Sequence, residues 1–115
     1  MGSVVNRTAI LIDDLADTSN TITRAAKLLK RSGASRVVAL VTHGVFSGDA
    51  VERINASCLD KVVVTNSVPQ EEHLRRMENV GGKGKLEVLE VGQVFAEAIR
   101  RVHHGESISV LFQYD

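Results

Sequence analysis

The sequence predicts an α/β domain built on a parallel sheet with helices on both faces. Short runs that are almost wholly apolar alternate along the chain with segments of helical periodicity. Such runs are typical of parallel strands that are covered on both sides. The 115 residues, with 43% hydrophobic and 24% charged side chains, suffice for a hydrophobic core. We therefore assign residues 1–115 to a single domain.

The first 64 residues of the chain carry three of the predicted strands, at residues 8–12, 37–41 and 62–64. A helix is predicted between the first two, because apolar side chains recur at helical spacing before Gly33: Ile22, Ala25, Ala26 and Leu29. Asp49 and Glu52 have the spacing of a capping box, which predicts a short helix to about residue 54.

The rest of the chain repeats the alternation. Ser67 and Gln70 predict a capped helix start, and residues 79–85 contain three glycines and predict a turn. Residues 86–89 predict a fourth strand, and residues 107–112 a last one. The clearest helical stripe lies between them, at Val91, Val94, Phe95, Ala98, Ile99 and Val102.

Composition and charge exclude several classes of function. The 14 basic and 14 acidic side chains balance, so the chain has no general electrostatic attraction for nucleic acid or a membrane surface. Cys58 is the single cysteine, which excludes an internal disulfide and favours a reducing, cytoplasmic compartment. No signal peptide is visible, and no apolar run approaches about 20 residues.

An acidic and hydroxyl-rich stretch directly follows the first predicted strand. Asp13 and Asp14 can accept hydrogen bonds from sugar hydroxyls or hold Mg²⁺ with its waters. Residues 17–21 form a polar loop that leads into a helix, where backbone N–H groups and hydroxyls can cradle a phosphate. Ligands of open parallel sheets lie at this end of the strands. The stretch thus suits a phosphorylated sugar.

Residue types alone leave a second interpretation open. An acidic strand end followed by a hydroxyl helix cap also occurs in phosphate-transfer receivers and in hydrolases of other folds. We interpret His43, which follows the second strand, as a structural residue.

Five stretches of the sequence carry a family resemblance. DDLADTSNT resembles the phosphoribosyl pyrophosphate signature of type I phosphoribosyltransferases and ribose-phosphate diphosphokinases. Four further stretches closely resemble the carboxyl-terminal half of the diphosphokinases: VTHGVFSGDAVERIN, KVVVTNSVPQEE, FAEAIRRVHHGESIS and VLF. The resemblance extends from about residue 7 to residue 112 and implies a type I phosphoribosyltransferase-like, three-layer sandwich.

The resemblance also implies an activity and partners. Enzymes of this family use Mg²⁺ and transfer a diphosphoryl group from ATP to the 1-hydroxyl of ribose 5-phosphate. They have two similar halves, of which this chain matches the second, and the ATP site lies largely in or beside the other. The family assembles into hexamers, which implies homo- or hetero-oligomers with related subunits. The chain alone is expected to be inactive.

The family motif assigns roles to individual residues. Asp13 and Asp14 would hold the ribose hydroxyls and the associated Mg²⁺. The 5-phosphate, or free phosphate, would be bound by Asp17, Thr18, Ser19, Asn20 and Thr21. The family's allosteric site, which a neighbouring subunit completes, would include Ser107, Ser109 and Phe112. No residue of this half is assigned to catalysis.

Some positions depart from the family pattern. Asn20 stands where the family usually has glycine, residues 77–85 form a longer segment, and residues 89–92 replace the usual helix start. Because of Asn20, a second alternative stays open, in which the chain belongs to a non-catalytic associated or regulatory subunit of the enzyme. A free-standing phosphoribosyltransferase is a further alternative, although no hood or base-recognition segment can be assigned.

Overall fold

The computed structural model describes residues 2–113, which form a four-stranded parallel sheet in the order β1-β2-β3-β4. The strands are β1 (Thr8–Ala16), β2 (Arg36–Gly44), β3 (Lys61–Thr65) and β4 (Leu86–Leu89). The helices are α1 (Asn20–Arg31), α2 (Ala50–Asn55), α3 (Glu71–Asn79) and α4 (Gly92–His103), followed by a 3₁₀ helix at Ser109–Phe112. The predicted α/β class with a parallel sheet is confirmed.

The core lies on one face of the sheet. Alternate residues of the central strands are buried there, and side chains of α1, α2 and α3 pack on them: Val37, Ala39, Val41, Val62, Val64, Ile22, Ala26, Ala50, Val51, Ile54 and Met77. Parallel crossovers are almost always right-handed, and the sheet adds each strand on the same side of the previous one. Successive crossover helices therefore fall on the same face.

The opposite face of the sheet is exposed in the described part of the chain. Ile12 is 81% exposed, Leu89 is 53% exposed, and Ile10 and Leu40 lie on the same side by register. Helix α4 buries none of its residues. Residues 2–113 thus cover one side of the sheet with helices. The apolar runs predicted a cover on both sides, but the other side of the sheet is exposed.

The prediction of a last strand at residues 107–112 is wrong. The Ser107 hydroxyl accepts a hydrogen bond from the Ser109 N–H at 3.1 Å, which turns the chain. The Leu111 N–H then donates to the Ile108 carbonyl at 3.0 Å, as in a 3₁₀ helix. These local bonds replace the pairing to a neighbouring strand that the apolar residues suggested.

The predicted helix caps form differently. Helix α3 begins at Glu71 instead of at Ser67, because Ser67 Oγ donates to the Thr42 carbonyl at 3.2 Å and Gln70 Nε2 to the Gly44 carbonyl at 2.8 Å. Asp49 does precede α2, but its side chain makes no capping bond.

Within residues 2–113, no helix is both long and apolar enough to cross a membrane.

Candidate functional site

Strand β1 continues through the acidic residues, further than predicted, and ends at Ala16. Asp13 is half-buried and pairs in register with Val41, whereas Asp14 is exposed. Successive side chains of a strand point to opposite faces. The two carboxylates predicted to act together are therefore divided between the two sides of the sheet.

A pocket of about 200 Å³ lies where β1 leads into α1. All the residues predicted to bind ribose 5-phosphate line it except Asp14: Asp13, Asp17, Thr18, Ser19, Asn20 and Thr21. Leu15, Ala16 and Ile22 complete the lining. The predicted loop thus encloses a concave site at the carboxyl edge of the sheet.

Ser19 has the most unusual environment in this pocket. It precedes the first residue of α1, has a left-handed backbone with φ of 68°, and is 5% exposed. Its Oγ is buried and has no hydrogen-bond partner. A buried hydroxyl without a partner costs about 1–3 kcal/mol, and the N–H groups of the first helical turn lack intrahelical acceptors. These donors suit an anion.

Two residues outside the predicted loop hold it in place. Asp17 Oδ1 accepts hydrogen bonds from both the backbone N–H and the hydroxyl of Ser47. Arg53 Nη1 on α2 donates to the Thr18 carbonyl at 2.6 Å. Sequence analysis missed both residues. The available signal was their position after the second predicted strand, whose carboxyl end adjoins that of the first.

Polar residues also link the ends of β2 and β3. His43 Nδ1 lies 2.7 Å from Ser67 Oγ, and Thr65 Oγ1 donates to the Thr42 carbonyl at 2.7 Å. His43 therefore makes a contact that joins two connections of the sheet, and it does not line the pocket. Its interpretation as a structural residue agrees with this contact.

Behind this edge, a buried amide joins β2 to α3. Gln70 Oε1 lies 2.8 Å from His73 Nδ1, and the Phe46 ring meets the His73 imidazole edge to face at 5.3 Å. Burial lowers the pKa of His73 below its usual value, and the nearby Arg76 charge acts in the same direction. His73 thus completes the packing under the loop that follows β2.

The residues assigned to the allosteric site lie together after α4 and outside the pocket. The hydroxyls of Ser107 and Ser109 are 2.8 Å apart, and Phe112 is 63% exposed. Arg101 Nη1 ties this segment to α4 through the Ser107 carbonyl at 3.0 Å.

No group of three His, Cys, Asp or Glu side chains in residues 2–113 is placed to hold a metal ion. Mg²⁺ commonly binds one or two protein carboxylates together with waters and substrate oxygens. Asp13 fits such a shared arrangement, whereas the exposed Asp14 does not line the same pocket.

Comparisons with known proteins agree on one family. The model of the phosphoribosyl synthetase-associated domain matches residues 1–113. Ribose-phosphate pyrophosphokinase 5 of Schizosaccharomyces pombe is 50% identical over 115 residues, which are 100% of this chain and 31% of that protein. The crystal structure of phosphoribosylpyrophosphate synthetase from Mycobacterium smegmatis is similar with a TM-score of 0.78 and 35% identity, over 91% of this chain and 33% of that one.

The chain thus spans about a third of the length of these relatives. The family model and the 50% identical relative each extend over nearly all of its residues. The chain belongs to the phosphoribosyl synthetase family, and its 50% identical relative in that family is named a ribose-phosphate pyrophosphokinase.

Proposed function

We propose that this chain is the ribose-5-phosphate-binding domain of a ribose-phosphate diphosphokinase. The full-length enzyme would transfer a diphosphoryl group from ATP to the 1-hydroxyl of ribose 5-phosphate. The observation that carries the proposal is the buried, unpartnered Ser19 hydroxyl in a pocket at the start of α1. A phosphate oxygen would satisfy this donor together with the N–H groups of the first turn.

In this proposal the two ends of the pocket bind the two ends of the substrate. Residues 17–21 bind the 5-phosphate, and the Asp13 carboxylate accepts hydrogen bonds from ribose hydroxyls. Asp14 lies outside this pocket, so its assignment to the ribose hydroxyls rests on the family motif alone. Mg²⁺, held by Asp13 jointly with substrate oxygens, would supply positive charge for diphosphoryl transfer. This domain acts by fixing the acceptor's position and does not form a covalent intermediate.

The remaining partners follow from the family. ATP would be bound through another part of a longer protein, since this chain spans about a third of its relatives. Homo- or hetero-oligomers with related subunits, up to hexamers, and a cytoplasmic location belong to the same proposal. Ser107, Ser109 and Phe112 would contribute to an allosteric phosphate or nucleotide site that a neighbouring subunit completes.

Titration of the chain with inorganic phosphate and with ribose 5-phosphate tests the binding site. Amide NMR shifts should concentrate in residues 17–21. Thr21→Ala should weaken phosphate binding by about 1 kcal/mol or more, because one hydrogen bond to a charged group is lost. Thr8→Ala, at the far end of β1, is the matched control. Shifts that occur elsewhere and spare the loop would refute the site.

The activity of the isolated chain is a separate prediction. We expect no formation of phosphoribosyl pyrophosphate from ATP and ribose 5-phosphate, since the proposal assigns the nucleotide site to another part of the enzyme. A coupled assay on purified chain measures this directly. Turnover in proportion to the amount of chain would contradict the division of sites.

In a full-length enzyme that contains this domain, Asp13→Asn should depress activity strongly. The substitution removes a charge that holds a hydroxyl or Mg²⁺ during transfer. Measurement of kcat and KM for ribose 5-phosphate, with binding of phosphate alone as a folding control, would show whether Asp13 acts on the sugar. An unchanged rate would remove Asp13 from the site.

A specific contact favours a second candidate, the non-catalytic associated subunit. Asn20 Nδ2 donates to Thr18 Oγ1 at 3.3 Å, which leaves the Thr18 O–H free as a donor but restricts the direction in which it points. If this contact weakens binding, Asn20→Gly should increase the affinity for phosphate in the same titration. A full-length protein that binds related subunits but has no turnover of its own, and gains affinity on this change, would support the associated subunit.

A further inference from the structure

We propose that Arg53 and Ser47 are positioning residues that hold the phosphate loop in its ligand-binding shape. We call these two residues the loop clamp. The inference rests on the proposed function, since it concerns the same loop, but it assigns a role to residues of the β2–α2 connection that the binding motif does not contain.

The first half of the clamp explains an acidic residue beside an anion site. An Asp17 carboxylate facing a phosphate would repel it. The structure instead turns Oδ1 to Ser47, which donates both its backbone N–H and its hydroxyl. Asp17 thereby fixes the end of the β1–α1 loop to the loop after β2, and its charge is partly screened by two donors. Its role in this geometry is to shape the pocket.

The second half of the clamp sets the direction of a backbone donor. Arg53 Nη1 holds the Thr18 carbonyl at 2.6 Å. In a trans peptide, the carbonyl and the following N–H point in opposite directions. Fixing the Thr18 carbonyl toward α2 therefore fixes the Ser19 N–H away from α2. The same peptide leads into the left-handed backbone of Ser19, a conformation that non-glycine residues keep only when their surroundings impose it.

Charge and anchoring support the same role. Within residues 2–113, Arg53 forms no ion pair, and its guanidinium donates to the Thr18 carbonyl from outside the lining of the pocket. Helix α2 is itself fixed, because the neighbouring Glu52 pairs with Arg76 at 2.7 Å and Arg76 also donates to the Gly48 carbonyl at 2.8 Å. Arg53 thus extends from an anchored helix to a strained peptide.

The experiment uses Arg53→Met, Arg53→Lys and Ser47→Ala, with Arg75→Met as the matched control. Arg75 is an exposed arginine of α3 that pairs with Glu72. Two quantities are measured for each variant: the Ser19 and Asn20 amide shifts without ligand, and the affinity for inorganic phosphate. Thermal unfolding shows that each variant is folded.

We expect Arg53→Met and Ser47→Ala to move both amide resonances without ligand and to weaken phosphate binding about tenfold, equivalent to about one charged hydrogen bond. Arg53→Lys should recover part of the affinity, because it retains the charge and one donor. Arg75→Met should change neither quantity.

The two measurements separate the clamp from the proposed function. Ligand-free resonances that stay unchanged in folded Arg53→Met and Ser47→Ala would overturn the clamp, whatever the wild type binds. Unchanged phosphate affinity in these variants, with a wild type that binds phosphate in the loop, would overturn it as well. A wild type that binds no phosphate would refute the proposed function, and shifted Ser19 resonances in the variants would still support the clamp.

Discussion

Gln70 and Ser19 are the two buried polar residues that the described chain contains, at 2% and 5% exposure. The Gln70 amide is engaged at both ends, by the Gly44 carbonyl and by His73. The Ser19 hydroxyl neither donates nor accepts a hydrogen bond. Folding gains from a satisfied buried amide and loses from an unsatisfied hydroxyl. The first residue therefore serves stability, and the second fits a binding role.

Ser19→Ala tests this division. The free energy of unfolding should stay the same or rise slightly, because a buried hydroxyl without a partner is removed. Phosphate affinity should fall, since a donor to the anion is lost. Urea unfolding with and without phosphate measures both effects. A marked loss of stability without ligand would show that Ser19 has a structural partner instead.

Gln70→Leu should lower the free energy of unfolding by about 1–3 kcal/mol, because the Gly44 carbonyl loses a buried donor at nearly constant side-chain volume. Gln93→Leu, at an exposed position of α4, is the control and should have a small effect. Urea denaturation of the three proteins measures the difference. Equal stabilities of the two variants would contradict the assignment of Gln70.

The residues of the site could be predicted only where they are neighbours in the chain. Residues 17–21 form a local strand-loop-helix pattern, and the structure gathers them in one pocket. Ser47 and Arg53 lie 30 and 35 residues from the groups that they bind. No local pattern states which carbonyl Arg53 would meet, and the separation of Asp13 from Asp14 depended on β1 continuing beyond the apolar run.

At the scale of elements, the ion pair between α2 and α3 predicts a pH dependence. Arg76 lowers the pKa of Glu52 below its ordinary value of 4.5, through a hydrogen bond first and through its charge as well. A carboxyl whose pKa is lower in the folded state stabilises the fold above its unfolded pKa. This contribution is lost as the pH falls from about 4.5 through the folded value.

Glu52→Gln should therefore lower the free energy of unfolding at pH 7, and the difference from the wild type should shrink as the pH falls below about 4.5. In an Arg76→Met background, Glu52→Gln should have little pH-dependent effect. Urea unfolding of the four proteins between pH 7 and pH 3 measures the cycle. A difference that persists at low pH would assign the effect to packing.

The turn from β2 into the next loop predicts a steric effect. A Cβ added at Gly44 would lie 2.5 Å from Phe46 Cε2 and 2.7 Å from Val64 Cγ2. Gly44→Ala should therefore destabilise the fold by about 1–3 kcal/mol through overpacking. Gly92→Ala, where the added Cβ would meet nothing within 4 Å, is the control. Equal melting temperatures for the two variants would contradict close packing at Gly44.

The strands were predictable at this scale because short apolar runs alternate along the chain with segments of helical periodicity. The 3₁₀ helix at Ser109–Phe112 was not, because its apolar residues also suited a strand. Which outcome prevails depends on whether a sheet edge is within reach, and the sequence of the segment does not contain that information.

At the scale of the whole molecule, the principal extents of 52 × 37 × 20 Å describe a flat body. The short axis is about the thickness of one sheet with one helical layer, since packed layers lie about 10 Å apart. The apolar face of the sheet and the apolar stripe of α4 are both exposed. Contiguous apolar surface of this kind commonly marks an interface.

We therefore predict that the isolated chain self-associates, most readily as a dimer. Analytical ultracentrifugation at micromolar concentration should show a mass above 12.5 kDa that rises with concentration. Ile12→Lys should shift the equilibrium to the monomer, because it places a charge on the open face of an edge strand. A single 12.5 kDa species across the concentration range would show that this surface does not drive association.

The order of the strands has a consequence for how the chain folds. In the described residues, each strand from β2 to β4 pairs with the one made just before it, so none of these three strands waits for a distant partner. Each crossover closes only the loop around one helix, which keeps the entropic barrier to pairing low. On the ribosome, β1 and β2 can join while β3 is still being synthesised, and the sheet grows in the direction of translation.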